Sequence, residues 1–153
     1  VGEGHEAMCD VLDYLDSQFP ADRPRYLMGV GEPRDILQAV LRGIDMFDCV
    51  LPTRNGRNAQ AFTWNGRLRL RNAQWAEDTR PLDENCLCYC CRNYSRGTVR
   101  HLFMAKEMLG PTLVTLHNLH FFAEFTAAIR QAICEGDLQT RAARWTAQMY
   151  PED

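Results

Sequence analysis

The sequence predicts an α/β protein carrying a metal-binding segment. Three observations lead there. A strand, a helix and a second strand follow one another with short connections between Tyr26 and Leu51. Such a unit makes the strands parallel and the crossover right-handed. A β-hairpin with alternating leucines and arginines comes next, at 61–70. Four cysteines then crowd into Cys86–Cys91, ahead of a long apolar helix.

The chain has 153 residues, enough for one domain with a sizeable core, and 46% of them are hydrophobic, as in ordinary globular proteins. No apolar run approaches the ~20 residues needed to cross a bilayer. The start, Val1-Gly2-Glu3-Gly4, has no basic region followed by an apolar one, unlike a signal peptide. It also lacks an initiator Met, so the chain is expected to be a piece of something longer. The net charge of −3 argues against a general nucleic-acid binder. Between Leu51 and Asn72, however, stand Arg54, Arg57, Arg67, Arg69 and Arg71 with no acid. That stretch can seat a phosphate backbone or be a solvated, arginine-rich hairpin. Seven cysteines is an odd number, and the clustered four are too close for a disulfide framework. A reduced compartment and metal binding are the better reading.

In order along the chain, His5 to Gln18 reads as a helix with Met8, Val11, Leu12 and Leu15 on one face. Pro20 and Pro24 bracket a loop. Tyr26 to Val30 is a short apolar strand. Pro33 suits the first turn of a helix that carries Ile36, Leu37, Val40 and Leu41 and stops at Gly43. Ile44 to Leu51 is the second strand, closed by Pro52. The hairpin pairs Ala61–Trp64 with Arg67–Leu70 about an Asn65-Gly66 turn, giving one buried and one basic face. Thr98 to Leu109 is helical, Gly110-Pro111 breaks it, and Thr112 to Glu135 forms the long helix, ended by Gly136. A polar helical tail runs to Asp153. The only internal echo is Val1-Gly2-Glu3 against Val30-Gly31-Glu32.

Cys88-x2-Cys91 has the spacing of a metal knuckle, and Cys86 adds a third thiolate from the same turn. Zinc takes thiolates and imidazoles in a tetrahedron, and a closed shell of four is structural. The fourth ligand must come from elsewhere. His117 and His120 lie one turn apart on the long helix; His101 is a third candidate, and Cys90 can replace a neighbour. The alternative is a set of buried thiols behaving as small hydrophobes.

Two carboxylates, Asp45 and Asp48, lie on or beside the second strand. Asp48 is nearer its carboxyl end, where catalytic groups of parallel α/β folds gather. A carboxylate in that apolar run is either functional or engaged as a cap or ion pair. Gly29 and Gly31 after the first strand allow a ligand near the backbone, or a tight turn.

The run Gly43-Ile44-Asp45-Met46-Phe47-Asp48-Cys49-Val50-Leu51-Pro52-Thr53-Arg54-Asn55-Gly56-Arg57-Asn58 closely resembles the signature of bacterial-type tRNA-guanine transglycosylases, or queuine tRNA-ribosyltransferases. So do Tyr26-Leu27-Met28-Gly29-Val30-Gly31, Arg71-Asn72-Ala73, Pro81-Leu82-Asp83, the cysteine cluster and His117-Asn118. The resemblance covers nearly the whole chain but only the C-terminal part of the family. It implies the C-terminal part of an irregular (β/α)8 TIM barrel with a zinc-binding subdomain. Residues 1–58 would be the last strand-helix units of the barrel. Residues 59–111 would be the hairpin and zinc subdomain, 112–136 the long helix packing back on the barrel, and 137–153 a helical tail.

The activity implied is exchange of the wobble guanine of tRNA for a 7-deazaguanine base, preQ1, in queuosine biosynthesis. Asp48 then resembles the nucleophile, which forms a covalent bond to ribose C1′. Glu3, Met28 and Gly29 match the base pocket, and Thr53, Arg54 and Arg57 match positions that hold the tRNA. Cys86, Cys88, Cys91 and His117 match the ligands of one structural zinc ion. A cytoplasmic enzyme, homodimeric when complete, is implied. Val1 and the Phe47-Asp48-Cys49-Val50 run resemble bacterial rather than eukaryotic or archaeal members. Glu32 departs from the basic residue expected there, and the family's other essential aspartate lies outside this chain. Two other expectations are a zinc-stabilised tRNA-binding module without catalysis and a non-catalytic subunit of the same family.

Overall fold

The computed structural model describes residues 4–151 and divides the chain into two compact units, Val1–Val50 and Leu51–Asp153. Together they mix helices with two small sheets.

In the first unit, α1 (His5–Asp16) and α2 (Pro33–Val40) flank β1 (Tyr26–Leu27) and β2 (Met46–Phe47). Pro33 opens α2, where its missing N–H costs nothing. The strands pair in parallel, Tyr26 with Met46 and Leu27 with Phe47, as the strand-helix-strand succession predicts. Leu12, Ala39 and Ile44 form the core, with Met8, Leu27 and Phe47 packed on it. The Arg25 N–H donates to Asp45 Oδ2 at 2.8 Å, and the Arg25 guanidinium reaches Asp16 at 2.6 Å. Asp45 is thereby used to align the two strand entries.

The second strand is shorter than expected. Leu51, read as the strand's last residue, instead opens α3 (Leu51–Arg57). Pro52 sits in the first turn of this helix rather than closing a strand. Thr, Asn and Gly make it a poor helix by propensity, and packing sustains it. Gly56 lies against α6 (Leu109–Glu135), so closely that a Cβ there would meet Thr115 Oγ1 at 2.5 Å and its backbone at 2.9 Å.

β3 (Gln60–Thr63) and β4 (Gly66–Arg69) form the antiparallel hairpin. Its turn is Trp64-Asn65, one residue earlier than expected, because Thr63 pairs with Gly66 and the Thr63 hydroxyl donates to the Gly66 carbonyl at 2.7 Å. The alternation holds: Leu70 is buried and Leu68 partly so, while Arg67 and Arg69 are exposed. A 3-10 turn (Ala73–Trp75), α4 (Tyr89–Asn93) and α5 (Arg96–Met104) come next. The break before α6 falls at Lys106, whose φ is +61°, so Gly110-Pro111 lie inside the first turn of α6. α7 (Leu138–Met149) closes the chain after Gly136.

One core cluster gathers Ala59, Ala61, Leu70, Leu82, Val99, Phe103, Leu113 and Val114 around Cys88 and Cys90. A second layer is aromatic: Trp64 packs edge-on to Phe121 and Phe125 and tilts against Trp145, with ring centroids 5.6–5.7 Å apart. Among the described residues no helix is long and apolar enough to cross a membrane.

Candidate functional site

The cysteine loop is organised before any metal is considered. The Asp83 carboxylate, buried, accepts from the Trp64 and Asn85 N–H groups. The Asp83 carbonyl accepts from Cys86 N–H. Cys88 caps α4, its sulfur accepting the Cys91 N–H at 3.4 Å. This turn brings Cys86, Cys88 and Cys91 onto one side.

α6 supplies the fourth group. His117 Nδ1 stands 3.6, 3.6 and 3.4 Å from the sulfurs of Cys86, Cys88 and Cys91. The four donor atoms all lie within 4.8 Å of one another. His117 Nε2–H donates to the Phe62 carbonyl at 2.8 Å. That bond assigns the ring proton to Nε2 and leaves the Nδ1 lone pair facing the three sulfurs. Three thiolates and one imidazole, largely buried, form the closed donor set of a structural zinc ion.

The other candidates fall away. Cys90 points into the core, and burial, reinforced by the Cys88 and Cys86 thiolates, pushes its thiol up to about 12. His101 is exposed on α5. His120 belongs to a different group of side chains. Within the chosen four, the neighbouring Cys91 side chain holds the Cys88 thiol well below its ordinary value, while Cys88 and burial hold Cys91 above it. Burial opposes charge on His117, but the Cys86 and Cys88 sulfurs outweigh it and lift the ring to about 9. Protons and metal therefore compete for the same atoms, and metal affinity drops as the pH is lowered.

Asn118, next to His117, is part of the His117-Asn118 motif in the sequence but was given no role there. Its Oδ1 accepts the Phe62 N–H at 3.0 Å, and its Nδ2 donates to the Pro52 and Gln60 carbonyls at 2.9 and 3.0 Å. The signal was two adjacent polar residues on the buried face of an apolar helix.

In the first unit Asp48 comes just after β2 and is exposed. Its Oδ1 accepts from the Tyr26 hydroxyl at 2.7 Å and from the Gly29 N–H at 3.0 Å. These bonds, the tyrosine's first, hold the carboxyl below its ordinary value. Gly29 reaches this position with φ +72°, which a side chain would disfavour. Tyr26 was expected in an apolar strand and in the run Tyr26–Gly31 that resembles the family, with no role of its own. Met28 is 61% exposed beside it. Glu3 lies outside the described residues. Thr53 is half-buried in α3, and Arg54 and Arg57 are placed on the same helix. Arg57, Arg71 and Lys106 line a groove of about 430 Å3 with Phe103 and Met104.

The family model described as queuine tRNA-ribosyltransferase matches residues 1–151. The chain belongs to the queuine tRNA-ribosyltransferase family. A relative of that name from Novosphingobium aromaticivorans is 60% identical over 143 residues, which cover 94% of this chain and 38% of the relative. Those from Caulobacter vibrioides and Dinoroseobacter shibae are 59% and 53% identical, covering 89% and 100% of this chain but 37% and 41% of their own lengths. The chain thus spans about two fifths of the queuine tRNA-ribosyltransferases it matches, and both the metal centre and the Asp48 site fall within that shared part.

Proposed function

We propose that this chain is the C-terminal part of a tRNA-guanine transglycosylase, with Asp48 as its nucleophile. The observation that carries the proposal is the Asp48 carboxylate: ionised, exposed and oriented through one oxygen by Tyr26 and Gly29. Oδ2 takes neither bond and would be the attacking atom. Its lone pair would form a bond to ribose C1′ of the wobble nucleotide while the bond from C1′ to guanine breaks, its electron pair leaving with the base. The incoming 7-deazaguanine base, taken to be preQ1, would then attack C1′ and release Asp48 as carboxylate, giving up one ring N–H proton where the departed guanine has taken one up. Splitting one substitution into two is the use of a carboxylate at an oxocarbenium-like centre.

Met28, Gly29 and Glu3 would line the base pocket. Thr53, Arg54 and Arg57 would hold the tRNA backbone, a role supported by the acid-free basic stretch from Leu51 to Asn72. The zinc ion would take no part in the reaction; it holds the cysteine loop, the hairpin and α6 together. β1 and β2 would be strands of a (β/α)8 barrel completed by the rest of a cytoplasmic, homodimeric enzyme, and the segments 1–58, 59–111, 112–136 and 137–153 would serve as its end, zinc subdomain, packing helix and tail.

Exchange of labelled guanine into tRNA tests the reading. A full-length version should catalyse it, and Asp48→Asn should abolish it while zinc content stays unchanged. Exchange retained in that variant would remove Asp48 from the role. The isolated 153 residues should not turn over, because a two-stranded parallel sheet leaves its outer edges open.

A further inference from the structure

His120 lies one turn beyond His117 on α6, and Glu124 one turn beyond His120. The His120 Nε2 atom is enclosed and stands 3.1 Å from a Glu124 carboxylate oxygen, yet no hydrogen bond joins them. Cys86 completes a group: its sulfur, a His120 ring nitrogen and a Glu124 oxygen all lie within 4.8 Å of one another. Three lone-pair donors therefore converge with no proton aligned between nitrogen and oxygen. A cation needs only such convergence.

Cys86 is the member suited to look both ways. It is half-buried, whereas Cys88 is buried, and a thiolate bound to one ion keeps lone pairs for another. His120 and Glu124 are four residues apart on one helix face, the spacing that lets two side chains share an ion. Sulfur, imidazole and carboxylate together suit borderline cations such as zinc, cobalt or cadmium over magnesium or calcium.

We propose that Cys86, His120 and Glu124 form a second divalent-metal subsite at the rim of the Cys3His centre, with the Cys86 thiolate bridging the two ions. It binds more weakly than the first, having three protein ligands and a sulfur whose charge is shared. The inference rests on the Cys3His group holding its own zinc ion.

Titration of the zinc-loaded protein with cobalt, read by thiolate-to-cobalt absorption and by metal content, tests it. One further equivalent of cobalt should bind while zinc stays at one equivalent. His120→Ala and Glu124→Gln should each weaken that second equivalent by roughly tenfold or more, without loss of zinc or of helical circular dichroism. Zinc leaving as cobalt enters would overturn the subsite. So would a total of one metal equivalent, or cobalt binding unchanged in both variants. Failure to hold the first zinc ion would overturn both readings, and metal content measured before the titration separates that result from failure of the subsite alone.

Discussion

The Tyr26 hydroxyl and the Gly29 N–H meet the same Asp48 oxygen, which makes a positioning role for Tyr26 open to test. Its hydroxyl favours the ionised carboxyl, and the Gly29 N–H adds to it. The folded value lies below the ordinary 3.8. The charged form therefore persists below that pH and is lost only as pH falls through the depressed value. In Tyr26→Phe the Asp48 titration, followed by carboxyl NMR, should move up toward 3.8. Base exchange by the complete enzyme at neutral pH should fall about tenfold, the scale of one hydrogen bond to a charged group. An unmoved titration would show that the hydroxyl does not hold the carboxylate. Asp48 itself was legible in the sequence as a costly charge in an apolar run. Tyr26 was not, because its hydroxyl meets Asp48 only once the parallel register Tyr26–Met46 is set. Periodicity carries no information about that register across an intervening helix.

At the scale of elements, α6 organises the second unit through consecutive residues. His117 grips the Phe62 carbonyl and Asn118 the Phe62 N–H, so both polar groups of one β3 residue are satisfied from one helix turn. Asn118 also ties down the Pro52 and Gln60 carbonyls, one at the start of α3 and one beyond its end. Asn118→Ala would leave two buried backbone groups and one partly buried one short of partners. It is expected to lower unfolding free energy by about 3 kcal/mol, measured by denaturant titration at constant bound zinc. A loss under ~0.5 kcal/mol would mean that water replaces the amide. The long helix, the hairpin and the three cysteine ligands were readable because each is local: a helical period, an alternation, a cysteine spacing; His117 came only from the family resemblance, since it meets the cysteines through the fold. α3 was not, since Thr53, Asn55 and Gly56 favour other conformations and only contact with α6 selects the helix. The extra length expected of the second strand fails for the same reason, Pro52 serving as a helix opener as readily as a strand stop.

For the whole molecule, Asp48 and the Cys3His group belong to different units. The proposed nucleophile stands in the first, the metal and the arginines of α3 in the second. All three tryptophans, Trp64, Trp75 and Trp145, also belong to the second unit. Trp64 sits two residues from Phe62, whose carbonyl is held by His117, and its ring leans on Phe121, Phe125 and Trp145. The chain thus contains its own optical gauge. Ultraviolet emission excited at the indoles tracks the metal-bearing unit and is blind to the one that carries Asp48. Chelation of the zinc should redden that emission as the aromatic layer opens to water, and lowering the pH should do the same as protons displace the metal from the thiolates and His117. Emission unchanged after the metal has been stripped would mean that the hairpin keeps its seat without it. An indole signal that shifts while the Asp48 titration stands still would reveal two halves that yield at different thresholds.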